Sequence, residues 1–90
     1  MAALTRTLNG PSWADRRVAA LSLGSLGPAA DTGALVKAAK DSSSFVREAV
    51  AIALGQIGGA KVVDALQMLT KDDVVQVREA ASKALAGIKR

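Results

Sequence analysis

Apolar residues recur along this chain at helical spacing. Val46, Val50, Ala53, Leu54 and Ile57 follow one another at steps of four, three, one and three. That pattern puts one apolar stripe on a 3.6-residue period and predicts an amphipathic helix. The same stripe returns further on: residues 46–57 laid over residues 77–88, a shift of 31, agree at 7 of 12 positions. Backwards, the shift pairs Arg16, Ala20, Leu23, Gly24 and Gly27 with Arg47, Ala51, Leu54, Gly55 and Gly58. Leu4, Leu35 and Leu66 also fall 31 apart, as do Lys40/Lys71 and Asp41/Asp72. Three units, at about 1–28, 29–59 and 60–90, therefore fill a single domain.

Each unit reads as two helices. The second helix is the clearer, with Ser12/Asp15 and Asp73/Gln76 at capping distance and Gly24, Gly27-Pro28 and Gly58-Gly59 as stops. First helices are predicted at roughly 2–9, 31–40 and 61–71, the earliest ended by Asn9-Gly10-Pro11. No alternation of period two persists, and Val62-Val63 and Val74-Val75, the β-like pairs, fall at helix starts. A lone hairpin of this length cannot bury its apolar side, whereas stacked neighbours make a continuous core. The expected fold is all-α, a short right-handed α-solenoid of three helical hairpins and six helices.

Composition sharpens this picture. Of 90 residues half are hydrophobic, and 19 of those 45 are alanine, which lets helices approach closely. The chain lacks cysteine, histidine and tyrosine, which removes disulfide scaffolds, thiolate or imidazole metal sites, cysteine nucleophiles and histidine-based triads. No apolar run approaches the roughly 20 residues that span a bilayer. No apolar stretch with a cleavage site opens the chain, so the expected location is the cytosol or an organelle interior and not the secretory route. Met1 favours a complete chain as the expectation, with a fragment of a longer array as the alternative.

The block Val46-Arg47-x-Ala49-x-Ala51-x-Ala53-Leu54-Gly55-x-Ile57-Gly58, preceded by Asp41, resembles a HEAT repeat. More narrowly, it is similar to the short HEAT-like class named for phycobilisome bilin lyases. The resemblance implies that second helices line a concave surface and first helices a convex one. It also implies that Arg16, Arg47 and Arg78 meet aspartates near the turns within the hairpins. Asp41 and Asp72 occupy that position, and Gly10 replaces it in the first unit, where Asp15 also stands in place of Val46 and Val77. The first unit thus reads as a modified cap. Relatives of this kind serve as scaffolds, adaptors, lyase subunits and appendages of larger enzymes. The iron-dependent HEAT-repeat hydroxylases need histidines this chain lacks.

The face of the second helices opposite the core stripe carries Arg17, Val18 and Leu21 in the first unit, Phe45, Glu48, Ala49, Ile52 and Gln56 in the second, and Glu79 and Lys83 in the third. Val18, Leu21, Phe45 and Ile52 would form an apolar patch with a polar border, as partner sites do; ordinary packing between repeats is the competing reading. Trp13 is expected to seal the N-terminal end, with an interface anchor as the competing reading. Arg16, Arg47 and Arg78 fit a structural ladder with Asp41 and Asp72 better than an anion-binding track. Charge is spread as +2, +1 and +1 over residues 1–30, 31–61 and 62–90, without the basic stripe and interleaved aromatics of a nucleic-acid binder.

Catalysis has no convergent carboxylates, Ser42-Ser43-Ser44 reads as a turn, and no cofactor or metal is implied. The function expected is a non-catalytic protein-interaction module or small scaffold subunit docking a partner on the concave face. An accessory subunit of a bilin lyase or similar enzyme is the alternative, and weak nucleic-acid binding a more distant one. Solenoid ends need cover, from a protein partner or from self-association.

Overall fold

In a computed structural model, residues 6–27 and 31–88 are described. They form six helical segments and no strand: α1, seen at residues 6–8, α2 (Trp13–Ser25), α3 (Thr32–Ala38), α4 (Ser44–Ile57), α5 (Ala60–Leu69) and α6 (Val75–Gly87). Leu4, Pro28, Lys89-Arg90 and the expected helix start at residue 2 lie outside the described residues.

The second helices make one layer, in which α2 packs on α4 and α4 on α6. The first helices cover it: α3 sits on α4, α5 on α6, and α3 touches α5. The central α4 buries Val46, Ala49, Val50, Ala51, Ala53 and Leu54. Leu23, Leu35, Leu66, Leu69, Val62 and Val77 close round it. Each such side chain taken from water contributes about 1.5–3 kcal/mol.

Local chemistry sets the boundaries. Ser12 Oγ accepts the Asp15 N–H at 3.4 Å and opens α2. Asp31 Oδ1 accepts the Ala34 N–H at 3.1 Å, so α3 starts one residue later than periodicity predicts. Turns through Lys40-Asp41 and Lys71-Asp72 end α3 and α5 before the predicted limits. Gly58 and Gly59 take φ of 71° and 90°, a region open to glycine, and reverse the chain between α4 and α5 in two residues.

Two expectations are corrected here. Gly24 does not stop a helix: it lies buried inside α2, where a Cβ would fall 2.6 Å from Ala53 Cα. Gly55 repeats the arrangement one boundary on, 2.7 Å from Ala84 Cβ. These glycines are therefore where neighbouring repeats touch backbone to backbone. Nor do Asp73 and Gln76 cap the last helix, which begins at Val75 with Val74 as its N-cap and no side-chain cap bond. The Asp72 carboxylate accepts the Val74 N–H at 2.9 Å instead. It works from the preceding turn because it is already held there by an arginine.

Candidate functional site

That arginine belongs to a repeated joint. Arg16 Nε and Nη2 donate to Asp41 at 2.8 and 3.0 Å, and Arg47 Nε and Nη2 donate to Asp72 at 2.7 and 3.2 Å. Each arginine reaches an aspartate 25 residues on, in the next repeat. The remaining donor, Nη1, turns back to a carbonyl six residues earlier: Gly10 for Arg16, Asp41 for Arg47 and Asp72 for Arg78. Gly10 thus keeps the backbone half of the joint and lacks only the carboxylate. Asp41 and Asp72 also accept the N–H two residues on, at Ser43 and Val74.

Burial is the largest single influence on both aspartates and pushes their pKa up. The arginine hydrogen bond, the backbone N–H and the guanidinium charge together outweigh it, so both lie below the usual aspartate value. The bond to Asp41 likewise holds Arg16 more firmly protonated. With their donors committed in this way, Arg16 and Arg47 make joints between hairpins and leave no open anion track, whereas Arg78, expected to meet an aspartate side chain, bonds only the Asp72 carbonyl of its own hairpin.

The opposite side of the second helices is different in kind. Along α4, Phe45, Glu48, Ile52 and Gln56 succeed one another at steps of three, four and four, which aligns them on one face. Phe45 is 55% exposed and Ile52 42%, while Val18 on α2 is 57% exposed. Such exposure is high for large apolar side chains when the core residue Leu54 beside them is fully buried. Arg17, Gln56, Glu79 and Lys83 are exposed, and Glu48 is half-buried. Two residues depart from expectation. Leu21 is half-buried and packs against the core, and Ala49 is buried. Both lean towards the neighbouring helix, which a one-residue error in the face assignment hides.

Trp13, expected as an end seal or an interface anchor, is the first residue of α2. It stays 47% exposed and stacks on Phe45, with ring centroids 5.0 Å apart and planes at 25°. The pair joins the N-terminal ends of α2 and α4 into an exposed aromatic platform. Sequence periodicity misses it because the two residues are 32 apart and thus one place out of repeat register. Their being the sole aromatics was the available signal.

Glu48, Ile52, Gln56, Glu79 and Lys83 meet around a groove of about 470 Å3 between α4 and α6. Arg17, Val18 and Leu21 lie on α2 and do not line it. Among the described residues, no three histidine, cysteine, aspartate or glutamate side chains gather as a metal site, and no helix is long and apolar enough to cross a membrane. The exposed face offers apolar area, an aromatic surface and a few charges. The family described as HEAT repeats matches residues 1–86 of the chain. The comparison with curated proteins gave no match.

Proposed function

The chain belongs to the HEAT-repeat family, whose repeats are generally protein-interaction modules and typically non-catalytic, and we propose that it is a small interaction or scaffold subunit that docks a protein partner on the solvent-facing side of its second helices. The observation that carries this reading is the exposure of Val18, Phe45 and Ile52 together, beside a Trp13–Phe45 stack that buries neither ring. Aromatic side chains are the residues that most often anchor interfaces, because they offer large area at small entropic cost. A polar border of Arg17, Glu48, Glu79 and Lys83 would supply orientation.

The test compares the wild-type chain with F45A/I52A, both recovered from the native cell. Wild type should hold a partner through purification, and the double variant should lose it while keeping its helical circular dichroism. A variant that keeps the partner, or a wild-type chain that purifies alone, would refute the proposal.

A further inference from the structure

The groove between α4 and α6 indicates what kind of partner segment fits, an inference that rests on the interaction role above. Small residues, Gly55, Ala80 and Ala84, line it where α4 and α6 pack tightly, a Cβ on Gly55 falling 2.7 Å from Ala84 Cβ. Ile52 lines it from α4. Glu48 on α4 and Glu79 on α6 both line it at equivalent repeat positions, so they are separated by about one helix-to-helix spacing of 8–10 Å. They are the two glutamates of the whole sequence, in a chain of net charge +4. Among the described residues neither makes an ion pair or a side-chain hydrogen bond, although Lys83 lies one turn from Glu79. By contrast, Asp31 is used in a cap and Asp41 and Asp72 in the arginine joints. The groove runs from Gln76 to Gly87, about 16 Å at 1.5 Å per residue, or three turns of helix.

We propose that this groove binds a basic amphipathic helix of a partner protein. An apolar stripe on that helix would lie over Ile52 and the small residues of the groove. Lysines or arginines on each flank of the stripe would reach Glu48 on α4 and Glu79 on α6. Carboxylates one helix apart call for basic residues on both flanks, which a helix with a central apolar stripe provides.

The probe is a fluorescently labelled peptide of about 14 residues, with leucines at helical spacing flanked by lysines, titrated with the full chain. Its control carries glutamate at every lysine position. The lysine peptide should bind, and E48Q/E79Q should weaken it about tenfold without altering the thermal midpoint, a loss of about 1.4 kcal/mol. I52S should weaken it too, and added salt should reduce binding. The proposal is overturned if the lysine peptide does not bind, if both peptides bind alike, or if E48Q/E79Q binds it unchanged. Should the glutamate peptide bind instead, and lose affinity in F45A/I52A, the interaction surface stands and the basic helix falls. If neither peptide binds and F45A/I52A keeps the native partner, both readings fall.

Discussion

Gly24→Ala separates packing from helix propensity, because the two act in opposite directions at this position. In an open helix, alanine for glycine stabilises by about 0.8–1 kcal/mol. Inside α2 the new methyl would lie 2.6 Å from Ala53 Cα and 2.8 Å from Ala53 Cβ. Relaxed carbon contacts need about 3.5–4.0 Å, so α2 and α4 must move apart by roughly 1 Å. Ala53 has no rotamer to change and is fully buried. Overpacking costs about 1–3 kcal/mol; with no side-chain rotation to relieve it at Ala53 the upper part of that range, about 2–3 kcal/mol, applies, which leaves a net loss of about 1–2 kcal/mol. For a domain of this size that lowers the thermal midpoint by roughly 5–15 °C. Gly33→Ala in α3 is the internal control, since the atom nearest its new methyl is Asp31 Oδ1 at 3.6 Å, an ordinary contact. It should gain roughly 0.5–1 kcal/mol. Thermal and urea unfolding followed by far-UV circular dichroism measures both. A Gly24→Ala chain as stable as wild type would refute the close-contact account of the repeat boundary.

Further outcomes follow from the same structure. Asp72→Ala removes the acceptor for Arg47 and for the Val74 N–H and should cost about 1–3 kcal/mol in urea unfolding. Asp41 and Asp72 are depressed below the ordinary 3.8, so the stability they supply is complete above that value and drains as pH falls through it towards their folded values. Urea midpoints should accordingly drop in acid, and D41N/D72N should start lower at neutral pH and show a shallower drop. Ile52→Ala should cost less than about 1 kcal/mol, while Leu54→Ala, two residues away and fully buried, should cost about 2–5 kcal/mol; similar losses at both would show that Ile52 is core.

The parts of this fold legible in the sequence are those that repeat. A shift of 31 brings Arg16 onto Arg47 and Asp41 onto Asp72, and the joints between hairpins have that same register. What escaped is what sequence signals encode ambiguously. Glycine marks both helix stops and close helix contacts, and nothing local at Gly24 separates the two; its contact partner, Ala53, is 29 residues away. An aspartate before a helix can cap it directly or act from the turn. The arginine that decides between these at Asp72 comes from the neighbouring hairpin. On the candidate face, periodicity resolved the direction of Phe45 and Ile52 but not of Leu21 and Ala49, which sit at the edge of the stripe, where a small rotation of the helix decides burial.

The exposed side of α2, α4 and α6 is the proposed seat of the partner. Cross-saturation by nuclear magnetic resonance on the labelled chain, bound to its native partner, addresses it directly. Signal loss is expected at Val18, Phe45 and Ile52 with little change at Val36 and Met68, exposed apolar residues of the first helices. Loss confined to Val36 and Met68 would contradict it.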